Sequence, residues 1–468
     1  MGNRVAVSVP SQILPIEFYL KELSDIHVKA SLGNTCFLKV ACCLSREGLV
    51  VVKVFVNNEN HLKLEPYRDL LHRVHDHLDN AAPNCLMYAA VKITDTAGVL
   101  LRQHVDKSLH ERISTRPFLT HLEKTWLAFQ LLCALRQAHQ AQVMWPTRPS
   151  RRTCYIAPER FRYREGDGRD VSPDGEALER EASPSPNPPL HNLTPAMDVF
   201  SAGCVLVELF TEGYAPFDLT QLLAYRKELY HPTRLVDKIH DPHVQTLVLS
   251  MLSRDPCQRR GAGDYLEEQR GLAFPDYFYS FLWPYGRQFA GHPKRPPDVT
   301  IQQISESLND ILLNLCGEKV AELDKTYMAR CGAPPSGQGT RGADAPPGQA
   351  TRGADAPSYR LHVKYGRGND QDDESATSDE RCEALILVLP FITAAYRSAA
   401  LCSSKLLGLQ TLMRVARFCP DDVILDRLLP TMLVGVESAE SSVRACAVDC
   451  ITHSLALVAA IPEMMSTI

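Results

Sequence analysis

Two short apolar runs near the start of the chain predict a β-hairpin. Residues 37–43 and 49–56 are rich in β-branched and apolar side chains, and the polar stretch 45–48 between them ends in glycine. Strands of about 4–8 residues bounded by turn residues have this pattern. A further apolar run at 99–105 predicts another strand, so the first part of the chain is expected to contain a small sheet.

From residue 120 the apolar positions change to a helical spacing. Thr120 and Glu123 are spaced as a capping box, in which the two side chains satisfy backbone N–H groups at the start of a helix. Apolar residues then recur at intervals of three and four and predict one buried stripe: Leu122, Trp126, Phe129, Leu132 and Leu135. Because proline cannot continue a helix, we expect Pro146 and Pro149 to end it.

The last part of the chain has the pattern of paired amphipathic helices. Residues 291–330 are predicted to form a helical connector, with apolar positions at Ile301, Ile304, Leu308, Ile311, Leu312 and Leu315. Residues 381–468 alternate helical periodicity with prolines and include a V-R-x-x-A helix at Val443, at a period near 40 residues that is typical of HEAT repeats. Since such a solenoid needs a terminal cap, the chain is expected to be a truncated part of a longer protein.

Two segments lack the residues that build a core. Residues 331–380 contain an eleven-residue duplication, Gly337–Pro347 and Gly348–Ser358, with no apolar side chain larger than alanine apart from proline. Residues 161–193 are rich in charge, glycine, proline and serine. Segments of this composition are predicted to be a disordered linker and a disordered insertion.

Composition narrows the functional classes. Charged residues make up 22% of the 468 residues and the net charge is −5, so no global basic field indicates nucleic acid as a partner. The 15 cysteines form no C-x-x-C pairs, which favours free thiols in a reducing compartment over a disulfide framework or a metal site. Neither a secretory signal nor an apolar run of about 18 residues occurs, and a soluble intracellular protein is expected.

Four motifs, in order, resemble parts of a protein-kinase C-lobe. Residues 151–160 contain Ala157-Pro158-Glu159 and resemble the end of an activation segment. Residues 198–203 resemble the start of the central buried helix, and residues 213–217 the turn after it. Residues 254–259 resemble the late element whose arginine pairs with the glutamate of the A-P-E run. One of these motifs alone would be a weak signal, but their order makes the resemblance specific.

The catalytic motifs of a kinase are not found. Phosphoryl transfer needs an H-R-D-type loop with a base and a metal-binding Asn, and a D-F-G Asp that holds magnesium. The stretch between His139 and Arg151 contains neither Asp nor Asn. No catalytic residue and no metal ligand can therefore be assigned.

The kinase resemblance implies roles for a few residues. Lys53 would contact the α- and β-phosphates of a nucleotide, although a lysine on the solvent face of a strand has the same sequence pattern. Gly33 stands alone where kinases have a G-x-G-x-x-G loop, and no glutamate partner for Lys53 is found in a helix predicted over residues 67–78. Glu159 and Arg259 would form a structural ion pair. Asp198, which normally braces the catalytic loop, is expected to be solvated or paired with another group.

The chain as a whole resembles the regulatory subunit 4 family of phosphoinositide 3-kinase, the kinase-like scaffolds of the class III complex. The segments that carry this resemblance are residues 113–118, 200–204, 209–213 and 221–226, together with the Met-Gly start. The resemblance implies ATP and Mg²⁺ as family cofactors and N-myristoylation at Gly2. It further implies two partners, the lipid-kinase catalytic subunit and its autophagy or endosomal adaptor. The expected location is cytoplasmic and peripheral, on endosomes, autophagosomes or Golgi-derived membranes.

The predicted fold class is α+β, an incomplete bilobal protein-kinase-like domain followed by an α-helical HEAT-type solenoid. The predicted parts are an anchor segment at 1–24, a kinase-like domain at 25–290 whose N-lobe ends at 105, and the connector, linker and repeats given above. Three functions remain open: a regulatory scaffold, an active serine/threonine kinase, or a trafficking pseudokinase of another kinase-plus-HEAT family that binds coat proteins. Phosphotransfer is expected to be absent because the catalytic motifs are absent.

Overall fold

The computed structural model describes most of residues 14–458, and the chain divides into two compact units, Met1–Asp276 and Tyr277–Ile468. The residues between 14 and 458 that it leaves undescribed are 22, 24, 35–37, 46–47, 57–63, 79–83, 87, 95–96, 106–107, 145–153, 164–169, 172–192, 291–294 and 332–380. The predicted myristoylation site Gly2, most of the insertion and nearly all of the linker therefore lie outside the described residues.

Among the described residues, an antiparallel sheet of five strands forms the first part of unit one, in the order β1-β2-β3-β5-β4. The strands are β1 (His27–Asn34), β2 (Leu38–Ser45), β3 (Gly48–Val56), β4 (Tyr88–Ile93) and β5 (Ala97–Gln103). The predicted hairpin is present, since β2 and β3 pair in register from Leu38 opposite Phe55 to Ser45 opposite Gly48. One helix, α2 (Glu65–Leu78), stands between β3 and β4.

A short helix at the amino-terminal end, α1 (Ile16–Tyr19), packs on this sheet. Ile16, Tyr19, Leu20 and Leu23 are buried in the same cluster as the apolar side chains of β2, β3 and β5. Burial of apolar side chains is the main stabilising term of such a contact. These four residues are therefore part of the sheet's core, which corrects the prediction that residues 1–24 form a separate anchor.

The helices of unit one follow the sheet. They are α3 (Leu109–Ile113), α4 (His121–Gln140), α5 (Pro195–Phe210), α6 (Leu219–Arg226), α7 (Thr233–Val236), α8 (Pro242–Met251) and α9 (Ala262–Glu268). The predicted capping box is present at the start of α4, where the Thr120 N–H donates to Glu123 Oε2 at 2.9 Å and the Glu123 N–H to Thr120 Oγ1 at 3.2 Å. The central helix α5 packs against α4 and α8.

Helix α4 ends before the prolines that were expected to stop it. Gln142 adopts φ +56°, its N–H donates to His139 O at 3.0 Å, and the Val143 N–H donates to Ala138 O at 2.8 Å. These two bonds around a left-handed residue form a Schellman motif, which satisfies the last carbonyls of a helix. The prediction was wrong about the cause, because the end at Gln140 is set by this local motif and not by Pro146 or Pro149.

The predicted insertion at 161–193 begins too early. Phe161 is buried, and its ring and carbonyl both contact Arg226, with Nη2 donating to the carbonyl at 3.0 Å. Strands β6 (Arg162–Tyr163) and β7 (Asp170–Val171) then pair antiparallel. Phe161 therefore belongs to the folded core, and this end of the insertion was misplaced because a single buried aromatic residue does not change segment composition.

Unit two is helical throughout the part that the structure describes. Its α-helices are α10 (Trp283–Ala290), α11 (Pro297–Glu306), α12 (Leu308–Cys316), α13 (Glu318–Cys331), α14 (Leu389–Ser398), α15 (Cys402–Ala416), α16 (Asp421–Val423), α17 (Leu429–Val436) and α18 (Ser441–Leu457). Helix α10 packs through Phe289, whose ring lies 5.2 Å from that of Phe391 in α14. For this reason residues 277–290 belong to the helical unit, whereas the sequence analysis assigned them to the kinase-like domain.

The predicted connector is also part of the helical unit. Asp324 of α13 is 1% exposed and pairs with Arg414 of α15 at 2.5 Å, and Asp298 of α11 accepts hydrogen bonds from the N–H groups of Leu401 at 2.9 Å and Ala400 at 3.4 Å. Removing one partner of a buried ion pair strongly destabilises the folded protein, because the other charge stays buried without a counter-ion. Residues 297–331 are helical, as predicted for the connector, and two of their side chains fix them against the repeats.

Pro420 lies between α15 and α16, as the predicted helices broken by proline require, but two other prolines of unit two lie inside helical stretches. Pro430 lies inside a continuous helical stretch, because the five residues Ile424–Leu428 before α17 form a π-helical turn. Pro284 in α10 follows a similar turn at Phe278–Leu282. A wider turn removes the clash between a proline ring and the carbonyl four residues earlier. The sheet-plus-helix unit followed by a helical unit confirms the predicted α+β class.

None of the described helices combines the length and the apolar character required to cross a lipid bilayer.

Candidate functional site

The segment that resembles the end of an activation segment is held against α5. The Cys154 N–H donates to Phe217 O at 3.0 Å, and Ser201 Oγ of α5 donates to the Tyr155 carbonyl at 2.7 Å. Tyr155 Oη also donates to the Glu208 carboxylate, while Ile156 and Ala157 are fully buried. The segment is therefore a fixed part of the core on one side, as expected of a platform on which another molecule could be positioned.

The A-P-E run ends in a buried ion pair. Pro158–Arg160 form a 3₁₀ turn, which places the Glu159 carboxylate beside the Arg259 guanidinium. Arg259 Nη1 lies 2.7 Å from Glu159 Oε1, and Nη2 lies 3.0 Å from Oε2. The Arg259 side chain is 0% exposed and that of Glu159 is 21% exposed. This bidentate geometry is the strong form of a charge-assisted hydrogen bond.

Arg259 has further partners around the same guanidinium. Its Nε donates to Ser253 O at 2.6 Å, Nη1 to Ala196 O at 3.0 Å and Nη2 to Arg254 O at 3.2 Å. The plane lies over the Phe200 ring, 4.9 Å from its centroid. Because the group is fully buried, these contacts compensate for its lost hydration. Arg259 thus joins the A-P-E run, the start of α5 and the late helices.

Asp198 is paired with His139 rather than exposed to solvent. His139 Nε2 lies 3.3 Å from Asp198 Oδ2, and the two side chains are 12% and 5% exposed. The sequence left open whether Asp198 is solvated or paired with another group, and in the structure it is paired. His139 was missed by the sequence reasoning, although it lies four residues after Leu135 and so on the buried stripe of α4.

Lys53 lies on β3 and contacts an aromatic residue of β4. Its Nζ donates to Tyr88 Oη at 3.5 Å and lies 5.8 Å from the centre of the Tyr88 ring. No carboxylate among the described residues forms an ion pair with it. Helix α2 begins at Glu65, two residues before the predicted start, which adds a glutamate to this helix, but the Glu65 side chain is exposed.

Gly33 lies at the end of β1, in a backbone conformation that favours glycine. Its φ is +105°, and a Cβ at this position would meet nothing within 4 Å. Glycine is therefore needed here for the backbone and not for space. Gly33 still pairs with Val40 of β2, and its N–H lies 3.4 Å from Ser31 Oγ. No hydrogen bond joins Gly33 and Lys53 in the part of the chain that the structure describes.

The described residues offer no metal centre, and several buried thiols of unit one have raised pKa values. No group of three His, Cys, Asp or Glu side chains among them could hold a metal ion. Burial raises the pKa of Cys43 to about 11 and that of Cys133 to about 12, and it raises the pKa of Cys204 well above its ordinary value. These thiols are protonated at neutral pH and do not act as nucleophiles, since the thiolate is the reactive form.

Fold and site together define a protein-kinase-like domain followed by a helical-repeat unit. Residues 388–468 match the family model described as "PIK3R4-like, middle domain". A serine/threonine-protein kinase VPS15 of Arabidopsis thaliana is 35% identical over 326 residues, which is 60% of this chain and 20% of the relative. The VPS15 of Saccharomyces cerevisiae is 27% identical over 95% of this chain and 33% of its own length. A probable vps15 kinase of Dictyostelium discoideum is 37% identical over 70% of this chain and 17% of its own length.

The chain is thus homologous to VPS15-type serine/threonine kinase-like regulatory proteins over both of its units. It spans about a fifth to a third of the length of the relatives from Arabidopsis and yeast.

Proposed function

We propose that this chain is a regulatory scaffold in which the kinase-like domain positions other molecules and transfers no phosphate. The observation that carries the proposal is the pairing of Asp198. This carboxylate, which the kinase resemblance assigns to bracing a catalytic loop, is buried against His139 at 3.3 Å. The residues between His139 and Arg151 include neither an Asp nor an Asn. The segment therefore has no side chain that could serve as the base or as a ligand of magnesium.

The contacts of Lys53 support the same function. In kinases the corresponding lysine pairs with a glutamate and with the nucleotide phosphates, and the metal ligands face it. Here Lys53 donates a hydrogen bond to the Tyr88 hydroxyl. A tyrosine neither neutralises the ammonium group nor orients it toward a phosphate. We infer that binding of ATP and Mg²⁺, the cofactors of the family, is weak or absent in this chain.

The partners follow from the resemblance of the chain and from the match of residues 388–468 to a PIK3R4-like middle domain. The scaffold would hold the catalytic subunit of the class III phosphatidylinositol 3-kinase together with its autophagy or endosomal adaptor. A myristoyl group on Gly2 would bring it to the cytoplasmic face of endosomes, autophagosomes or Golgi-derived membranes. Because one acyl chain binds membranes only marginally, stable attachment would need the partners as well.

Phosphate transfer is tested directly with γ-labelled ATP and Mg²⁺. The purified chain is incubated alone and with a generic serine/threonine substrate, beside an active protein kinase as positive control. We expect no label above background for either the chain or its Lys53→Ala variant. Labelling of the chain that disappears in Lys53→Ala would overturn the proposal and favour an active serine/threonine kinase, which is the activity that the names of the relatives describe.

The scaffold role is tested by co-purification. The tagged chain and a Glu159→Gln variant are expressed with the class III lipid-kinase catalytic subunit, and the amount of subunit recovered is measured. Recovery with the wild-type chain and reduced recovery with Glu159→Gln are expected, since this substitution loosens the platform at the A-P-E run. Recovery of coat proteins instead of the lipid kinase would favour the trafficking pseudokinase.

A further inference from the structure

A cleft in unit one lies between the end of α6 and the exposed side of α8. It encloses about 720 Å³, with Tyr225 and Glu228 on the side of α6 and Leu249 on the side of α8. This volume is within the range of about 300–1,000 Å³ that is usual for ligand sites. Neither Lys53 nor Asp198 lines the cleft, so it is separate from the kinase-like site described above.

The end of α6 places a leucine at the edge of this cleft. Glu228 adopts φ +61°, its N–H donates to Tyr225 O at 3.2 Å, and the Leu229 N–H donates to Ala224 O at 2.9 Å. In such a Schellman motif the residue after the left-handed one commonly packs back onto its helix. Leu229 is instead 79% exposed, and Leu249 on the side of α8 is 41% exposed. Two leucines are therefore held in water beside one opening.

Two hydroxyl groups that line the cleft donate within the protein. Tyr225 Oη donates to Leu252 O at 2.7 Å, and Ser253 Oγ donates to Gln258 Oε1 at 3.0 Å. A hydroxyl group has one proton to donate, and both protons are already used. Specificity for a ligand therefore has to come from the charged and aromatic groups of the cleft.

The charges that line the cleft do not cancel. Glu228 and Arg254 neutralise each other in an exposed ion pair. Asp255 lines the cleft as well, and its Oδ1 accepts the Cys257 N–H at 2.9 Å. No ion pair to Asp255 exists among the residues that the structure describes. A basic group is therefore the complementary charge for this cleft.

A histidine ring also lines the cleft. The exposed His231 ring meets the Tyr225 ring edge to face, with centroids 5.8 Å apart and an interplanar angle of 88°. A guanidinium group can stack on an aromatic ring and bond a carboxylate through two N–H groups, whereas an ammonium group is a point charge. Arginine therefore fits this cleft better than lysine.

We propose that this cleft is a docking site for a peptide segment of a partner protein in which an apolar residue precedes an arginine. The apolar side chain packs on Leu229 and Leu249, and the guanidinium bonds the Asp255 carboxylate and stacks on the His231 ring. Burial of the apolar side chain supplies most of the affinity, and the carboxylate selects the charge. An acidic segment is disfavoured because Asp255 repels it.

The docking site adds a contact to the proposed scaffold but is tested apart from it. The co-purification above measures binding of the lipid-kinase catalytic subunit, whereas a short peptide reports on the cleft alone. A chain that binds the peptide but not the lipid kinase would leave this inference standing and refute the proposed function. A chain that binds the lipid kinase but not the peptide would do the reverse.

Peptide binding is measured by saturation-transfer difference NMR, in which weak ligands of a large protein are observed directly. The probe is the blocked tetrapeptide acetyl-Gly-Leu-Arg-Gly-amide, titrated into the purified whole chain. We expect saturable binding, with a Kd at least about fivefold lower than that of the matched probe acetyl-Gly-Leu-Glu-Gly-amide. Replacing the leucine of the probe by glycine should weaken binding by a similar factor, because the apolar contact is lost.

Two variants locate the probe in the cleft. Leu249→Ala removes one apolar contact, and Asp255→Asn removes the charge but keeps an acceptor for the Cys257 N–H. Each should raise the Kd of the arginine probe by at least about threefold. The matched controls Leu272→Ala and Asp237→Asn change exposed residues that do not line the cleft, and they should leave the Kd unchanged.

Three results would overturn the proposal. The first is no saturable binding of the arginine probe to the folded wild-type chain. The second is equal or tighter binding of the glutamate probe, which would indicate an anion site at Arg254 instead. The third is a Kd that both Leu249→Ala and Asp255→Asn leave unchanged, since the probe would then bind elsewhere. The first two need only the wild-type chain, so the test holds even if a variant fails to fold.

Discussion

Glu159 and Arg259 are 100 residues apart in the sequence and share two hydrogen bonds, of 2.7 and 3.0 Å. Arg259 is the buried member of the pair, so loss of the Glu159 charge leaves a guanidinium without a counter-ion. We expect Glu159→Gln to lower the free energy of unfolding of unit one by about 3 kcal/mol. Denaturant unfolding monitored by tryptophan fluorescence would measure it, because Trp126 belongs to this unit.

A matched control for this substitution is Glu228→Gln. Glu228 pairs with Arg254 at 2.5 Å, but the two side chains are 68% and 41% exposed. Exposed ion pairs contribute little, and the expected loss is below about 1 kcal/mol. Equal losses for the two variants would mean that burial of Arg259 does not determine the strength of its pairing.

The contact between His139 and Asp198 should stabilise unit one in the same way, but less strongly. Replacing His139 by alanine removes one hydrogen-bond partner of a carboxylate that is 5% exposed. We expect His139→Ala to cost about 1–3 kcal/mol in denaturant unfolding. The control His110→Ala removes a histidine that is 80% exposed beside Glu208 and should cost less than about 1 kcal/mol. A His139→Ala variant as stable as this control would show that Asp198 does not need the imidazole.

Much of the fold could be predicted because local pattern determines it. The hairpin at β2 and β3 and the capping box at Thr120 depend on side chains close in sequence, and both are present in the structure. The kinase-like motifs likewise predicted an ion pair between Glu159 and Arg259, and the two side chains form this pair in the structure.

What the sequence did not reveal depends on contacts between distant residues. The assignment of residues 297–331 to the helical unit rests on Asp324 pairing with Arg414, which are 90 residues apart. The pairing of Asp198 with His139 could not be predicted either. The sequence lacks the catalytic loop that Asp198 would brace, and it does not show which other side chain contacts this carboxylate. The end of α4 was predicted wrongly because it depends on the left-handed conformation of Gln142. Glycine or asparagine usually marks this conformation in a sequence, and glutamine does not.

Close packing of helices in unit two should make Gly435 sensitive to any added atom. A Cβ at Gly435 would lie 2.5 Å from Tyr396 Oη and 2.8 Å from Ala447 Cβ. Neither α14 nor α18 can move without disturbing its own contacts, so Gly435→Ala is expected to cost about 1–3 kcal/mol despite the better helix propensity of alanine. Unfolding monitored by circular dichroism would measure the loss.

Two further variants distinguish crowding from propensity at this position. Gly286→Ala in α10 places a Cβ at an ordinary 3.5 Å from Phe391 Cζ and should stabilise unit two by about 0.5–1 kcal/mol. Adding Tyr396→Phe to Gly435→Ala removes the hydroxyl that the new methyl group meets, and part of the lost stability should return. A destabilising Gly286→Ala would indicate that helical glycines in this unit are required for another reason.

Asp298 should make the stability of unit two depend on pH in the acid range. The pKa of its carboxyl is lowered from the ordinary value of 3.8, first by the hydrogen bond from the Leu401 N–H and also by that from Ala400. Because the folded pKa lies below the unfolded one, the unfolded chain binds more protons between the two values, and stability falls as the pH decreases through the folded pKa. The contribution is fully present above the unfolded pKa. We expect Asp298→Ala to be less stable than wild type at about pH 6 and the difference to shrink as the pH is lowered below about 4. The control Asp298→Asn keeps a hydrogen-bond acceptor but cannot titrate, so at about pH 6 its stability should be closer to that of wild type than the stability of Asp298→Ala is. A difference in the free energy of unfolding between wild type and Asp298→Ala that stays constant down to about pH 2 would contradict the lowered pKa of Asp298.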